Sequence, residues 1–322
     1  MFKAVLLATF SLRLQNPAEG EAASKIAVAS PVHKGGITSI AFRRDGKAFA
    51  TGGWDNTVKV WSSEGTLLRT LKGFREHVTG VSFSADGRYL ATSAGDGKLR
   101  IFEGGSARLL RTVAGGTSYL SGVVFGTGDT LFTSGYDNKV KSWSASSGKL
   151  LRQFLLPSDG YSVEVSRDGS LVSGGGPGGV SVFEAKTGKR VAKYTMGEGS
   201  VLSMAADPVT GKIVFVGGPK GVMEFDARSN LATNVDMQLS GYPVEVAYEA
   251  KGNMFGVTTT TGQIVVRSTE SSEQTVFEGH RDYVQALGFS PDGKWLATGD
   301  AKGRLAVWDL TASKFHRVCS LN

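Results

Sequence analysis

The stretch Ala50 to Trp61, ATGGWDNTVKVW, decides the fold. Phe49-Ala50-Thr51 ends a short apolar strand, and Gly52, Gly53, Asp55 and Asn56 are turn residues, because they accept positive φ or hydrogen-bond their own backbone. Thr57 to Trp61 then alternates with period two, which puts Val58 and Val60 on one face and Lys59 on the other. The stretch is a β-hairpin.

Outward from this hairpin, the place of Trp61 recurs at Phe102, Trp143, Phe183, Phe225, Arg267 and Trp308, at spacings of 41, 41, 40, 42, 42 and 41 residues. A second ladder runs upstream of the first. Phe42, Phe83, Phe125, Val165, Ala206, Tyr248 and Phe289 each end an apolar strand, and turns such as Arg44-Asp45-Gly46, Ala85-Asp86-Gly87, Arg167-Asp168-Gly169 and Pro291-Asp292-Gly293 follow most of them. A period of roughly 40–45 residues is that of a four-stranded propeller blade. The prediction is an all-β chain: a seven-bladed β-propeller of four-stranded antiparallel blades over residues 25–322, behind an N-terminal extension, 1–24.

The repeats resemble the WD-repeat family from near Lys25 to the C-terminus. The resemblance is carried by Gly279-His280 opening the last repeat, by Trp308-Asp309 closing its third strand, and by His33, Thr51, Asp55 and Trp61 in the first repeat. It implies a hydrogen-bonded chain, Asp to His to Ser/Thr to Trp indole, that ties the strands of one blade. Such a chain satisfies a buried indole N–H and hydroxyl together. Repeat two keeps Thr92 and Asp96 but has Phe74 and Phe102 in place of His and Trp; repeat three keeps Thr133, Asp137 and Trp143 without the His. Repeat seven has His280, Thr298 and Trp308, with Lys302 where the Asp should stand. Repeats four to six keep almost none of the set and join on period alone.

Composition narrows the function. The 44 glycines sit at turns between apolar strands, and a chain that is 40% hydrophobic is not disordered. A formal charge of +7 favours an acidic partner or surface, although a basic but unspecific surface gives the same sum. The lone Cys319 excludes an internal disulfide and fits a reducing, intracellular compartment, cytoplasmic or nuclear. His33, His77, His280 and His316 are dispersed, without Cys or carboxylates at metal-ligand spacing, so no metal or other cofactor is expected. The glycine runs 174–179 and 217–221 do not open a helix or continue as Gly-Lys-Ser/Thr; they are turns. No nucleophile elbow and no basic aromatic motif of RNA-binding sheets occurs, and no apolar run approaches the roughly 20 residues of a membrane span.

The ends are read separately. Phe2 to Leu12 has the apolar run of a signal-peptide core behind Lys3, but Arg13 interrupts it, and Glu19 and Glu21 make a poor cleavage region. Organelle import stays open, since no acid precedes Glu19. Phe10 to Gln15 alternates as a strand does, and it is placed against Lys25 to Ser30 across the polar loop Asn16 to Ser24. Both Lys25 to Ser30 and Lys314 to Ser320 qualify as the outer strand of blade seven, and only one can take that place. The surplus strand is either an extra edge strand or the trace of a longer, two-propeller protein.

The candidate site lies at the starts of the innermost strands. Six residues before each rung of the second ladder stand Gly36, His77, Tyr119, Asp159, Ser200, Tyr242 and Tyr283. In the family these positions surround the channel mouth on a partner-binding face, and the residue before the turn Asp, here Trp54 and Tyr136, points to the same face. Large aromatics with a polar tip dominate interface energetics, and Lys34, Arg75 and Arg281 add charge beside them. The bland alternative is that each ring only packs on the neighbouring blade. The expected function is a non-enzymatic scaffold, monomeric as a propeller, that binds protein partners on this face within a complex; the rival is a ribonucleoprotein or chromatin subunit touching phosphate through its positive charge.

Overall fold

Strands here are short because each hairpin ends in residues that only a turn tolerates: Asn56 and Asn138 hold φ of 59°, a value Asn accepts far more readily than β-branched residues. The computed structural model describes residues 31–116, 119–218, 221–311 and 314–318. Every described element is a strand, and they form seven four-stranded antiparallel sheets of consecutive strands. Blade one is Ile37–Phe42, Ala48–Gly53, Val58–Ser62 and Leu67–Leu71. Trp61, Trp143 and Trp308 lie on third strands, opposite Phe49, Leu131 and Leu296 of the second.

No blade buries its faces alone. Apolar residues of each sheet meet those of the next in seven clusters, each shared by two neighbours. Val58, Val60 and Leu71 of blade one pack with Val78, Val81 and Leu90 of blade two, and Ile37, Phe49 and Trp61 of blade one pack with Ala297, Leu305 and Val307 of blade seven. The second contact closes the ring. Hydroxyls on the inner strands add lashings between blades: Thr38 Oγ1 donates to the Val78 carbonyl at 2.6 Å, Thr79 to Leu120 at 2.8 Å, and Ser121 to Gly160 at 2.5 Å.

Of the two candidates for the last outer strand, Lys314–Val318 takes the place, with Trp308 opposite Phe315. Blade seven is therefore built from one run of chain. The readings of Phe10 to Gln15 and Lys25 to Ser30 fall outside the described residues. The inner strands surround a central channel of about 340 Å³.

Candidate functional site

Antiparallel geometry brings the two sets of candidate residues to one end of the blades. The residue just before each inner strand and the first residue after the second strand are joined by backbone hydrogen bonds. Trp54 N–H donates to the Gly36 carbonyl at 2.9 Å, Tyr136 to Tyr119 at 3.2 Å, Thr260 to Tyr242 at 3.0 Å and Ala301 to Tyr283 at 2.8 Å. Side chains from both positions thus share the face that carries these turns.

On that face an aromatic run crosses blades one to four. The Trp54 indole stacks on His77, with ring centres 4.0 Å apart and planes within 11°. His77 Nε2 is 2.9 Å from the Tyr119 hydroxyl, Tyr119 stacks on Tyr136 at 4.4 Å, and Tyr136 meets Tyr161 at 5.6 Å. Burial pushes the Tyr136 hydroxyl up to about 12 and raises those of Tyr119 and Tyr161 as well, so all three stay protonated donors at neutral pH. Counting six residues back misses Tyr161, because the count in blade four lands on Asp159; an aromatic two residues further on was the available signal. Tyr242, at 62% the most exposed of the set, and half-buried Tyr283 do not join the run of ring contacts among the described residues. Lys34, Arg75 and Arg281 are exposed.

The turns that carry this face are held from below by buried carboxylates. In blade one, Asp55 accepts from His33 Nδ1 at 2.9 Å, from the Thr57 hydroxyl at 2.7 Å and from the Lys34 amide at 3.0 Å. A carboxylate only accepts, so His33 Nε2 in the neutral ring is left to take the Thr51 hydroxyl proton at 2.8 Å, while the Trp61 indole donates to the same oxygen at 3.0 Å. Burial pushes Asp55 up, but the bonds from His33 and Thr57 outweigh it and hold the carboxyl well below the usual range. Gly53 makes room for this: a Cβ there would come within 2.3 Å of His33 Nδ1.

Blades two and three hold the same turn with a cation instead. Arg100, 5% exposed on the third strand, places its guanidinium nitrogens 2.6 and 3.1 Å from the two oxygens of Asp96 and 4.5 Å from the Phe74 ring centre. Phe74 fills the position of the absent His and gives the guanidinium a π face. In blade three Lys141 binds Asp137 and the Gly115 carbonyl, and the Trp143 indole donates to Thr133 at 2.9 Å.

Blade seven closes the tie from another position. Lys302 stands where Asp55 does, since Ala301 bonds Tyr283 as Trp54 bonds Gly36; Asp300, two residues earlier and fully buried, takes the role, accepting from His280 Nδ1 at 2.9 Å, while His280 Nε2 and the Trp308 indole reach the Thr298 hydroxyl at 2.8 and 2.7 Å. Asp300 also binds Arg304 Nε at 2.6 Å, and Arg304 extends to Asp282.

Three stretches of the chain, residues 27–62, 65–103 and 271–309, match the family described as WD domain, G-beta repeat. The chain carries WD repeats. The first two matches cover blade one and the first three strands of blade two, and the third covers the first three strands of blade seven. The WD-repeat chain is 24% identical over 225 residues to human pre-mRNA-processing factor 17, which spans 66% of this chain and 39% of that protein. It is 23% identical over 283 residues to autophagy-related protein 16 of Arabidopsis thaliana, spanning 87% of this chain and 48% of that protein. Over 41 residues it is 49% identical to the target of rapamycin complex subunit wat1 of Schizosaccharomyces pombe, 13% of each. The chain thus spans less than half the length of the first two relatives.

Proposed function

We propose that this WD-repeat propeller is a non-enzymatic, intracellular scaffold that binds a protein segment on the face carrying Trp54, His77, Tyr119, Tyr136 and Tyr161, with Tyr242, Tyr283, Lys34, Arg75 and Arg281 around it. The observation that carries the reading is the continuous run of ring contacts from Trp54 to Tyr161. A partner gains from a continuous, partly exposed aromatic strip, where truncation of a hot spot costs about 2 kcal/mol or more. The relatives named as a complex subunit and as a processing factor support a place in an assembly. A photo-crosslinking residue at position 136 is expected to capture a partner in cells, while the same residue at position 44, at the opposite end of the blades, captures none. Adducts from position 44 alone contradict the reading.

The rival, contact with nucleic-acid phosphate, draws on the charge of +7 and on the relative named for pre-mRNA processing. It predicts binding that falls steeply with salt, about one log unit of affinity per log unit of salt for each phosphate contacted; a partner held by aromatic burial keeps most of its affinity.

A further inference from the structure

Six of the seven third-strand rungs are aromatic, and each ring is 4% exposed or less, packed in the cluster that its blade shares with the preceding one. Blade six breaks the series with Arg267, opposite Phe255 of its second strand. The cluster between blades five and six accordingly has no ring from that rung. A cleft of about 700 Å³ opens between these two blades, reaching the turns at the end opposite the aromatic face, and Arg267 forms part of its wall.

A half-buried cation loses hydration that only a hydrogen bond or an opposite charge returns. Arg267 has little of either. Its Nη2 donates to Ser272 Oγ at 2.7 Å, its Nε is buried without a hydrogen-bond partner, and no carboxylate among the described residues pairs with it. Arg100 of blade two, by contrast, has both Asp96 and the face of Phe74.

The buried carboxylates of the cleft are already engaged. Asp207 accepts from the amides of Val209 and Thr210 and from the Thr210 hydroxyl, and Glu224 holds Lys212 Nζ at 2.7 Å. Tyr248 adds a second open donor: burial, with Asp207 and Glu224 nearby, raises its hydroxyl, which stays protonated within electrostatic reach of Arg267 and has no hydrogen-bond partner among the described residues. What the cleft lacks is an acceptor. Val235, Phe255 and the Tyr248 ring give it an apolar wall, while Asp236 and Glu270, exposed at its rim, repel a dianion more than a monoanion.

We propose that this cleft binds a small organic monocarboxylate, with its carboxylate on the Arg267 guanidinium and the Tyr248 hydroxyl and its apolar body against Val235 and the Tyr248 ring. A guanidinium meets a carboxylate as a planar fork through two parallel hydrogen bonds, and a cleft of several hundred Å³ is the size of a small-ligand site. The site is separate from the aromatic face, so the two readings stand or fall independently.

A ligand-observed NMR titration of the full chain with hexanoate tests this, beside hexanamide, hexylammonium and hexyl phosphate, which keep the body and change the head. Hexanoate is expected to saturate, and hexanamide and hexylammonium to bind about tenfold or more weakly. Hexyl phosphate, doubly charged at about pH 8, should also bind more weakly than hexanoate. Arg267→Phe, which restores the ring of the other rungs, should abolish hexanoate binding while the melting temperature stays or rises, and Tyr248→Phe should weaken binding about fivefold. Arg267→Gln, which keeps a polar side chain of similar length, is read in the same way should the phenylalanine variant fail to fold. The proposal is overturned by the absence of saturable hexanoate binding to the unmodified chain, by hexanamide or hexyl phosphate binding as tightly, or by full hexanoate binding in a folded Arg267 variant.

Discussion

Blades one, two, three and seven close the hairpin between second and third strands on a turn held by a carboxylate, while blades four, five and six close it on 176–178, 217–221 and 259–262, where the sequence has none. The aromatic run lies mostly on the first kind. Trp54 and Tyr136 directly precede Asp55 and Asp137, and a Cβ at Gly95, before Asp96, would come within 3.2 Å of the Tyr119 ring. Holding the turn and aiming the ring are thus one arrangement. The comparison also shows what the tie requires: a buried donor within reach of the turn carboxylate, supplied by the preceding loop as His33 and His280 or by the third strand as Arg100 and Lys141. A histidine at one fixed place is not required.

The comparison is broken most severely in blade seven. Asp300→Ala leaves Arg304 and His280 without their shared acceptor and should cost about 3–5 kcal/mol, as removal of one partner from a buried pair does. Lys302→Ala, on an exposed residue two positions away, should stay within about 0.5 kcal/mol. Denaturant unfolding of the two variants separates them; equal losses would show that the Asp300 tie is not what holds blade seven. Next in size, Arg100→Met strands buried Asp96, and should lower stability by about 1.5–3 kcal/mol. His33→Ala, which exposes Asp55 to water beside the Thr57 hydroxyl that it keeps, should cost the smaller part of about 1–3 kcal/mol. A larger loss at His33 would show that the arginine tie is the weaker of the two.

The channel gives a pH effect of the opposite sign to the turns. Asp55, Asp96 and Asp300 have lowered values, so the stability they confer is present above the ordinary carboxylate range and is lost as acid protonates them. Glu164 is raised from 4.5 to about 8, so the folded chain holds a proton that the unfolded chain has released, and stability falls as pH rises across that window. Glu164→Gln should raise the melting temperature at about pH 9 and leave it nearly unchanged at about pH 4. A rise of equal size at both would mean relief of packing rather than of charge.

The fold could be read from the sequence because a blade repeats its turns and its apolar strand ends, and two ladders at one period leave little else. The face followed from simple antiparallel arithmetic. Counting from fixed rungs finds Lys302 at the turn position but not Asp300, two residues earlier at the strand end, and it lands on Asp159 rather than Tyr161. Arg100 and Lys141 were hidden differently: on an alternating strand they read, like Lys59, as solvent-side positions, and only the tertiary fold shows that side covered. Glu164 and Glu245 look like ordinary outward residues of alternating strands until seven blades close around them.

The measurement that bears most directly on the binding face is a pull-down with three forms of the chain at matched melting temperature: unmodified, Trp54→Ala with Tyr283→Ala, and Arg44→Glu with Lys294→Glu at the opposite end of the blades. The aromatic pair should lose the partners that the unmodified chain captures, while the charge-reversed pair keeps them. Retention of every partner by the aromatic pair, with loss from the charge-reversed pair, would contradict the assignment and leave the rings as packing between blades.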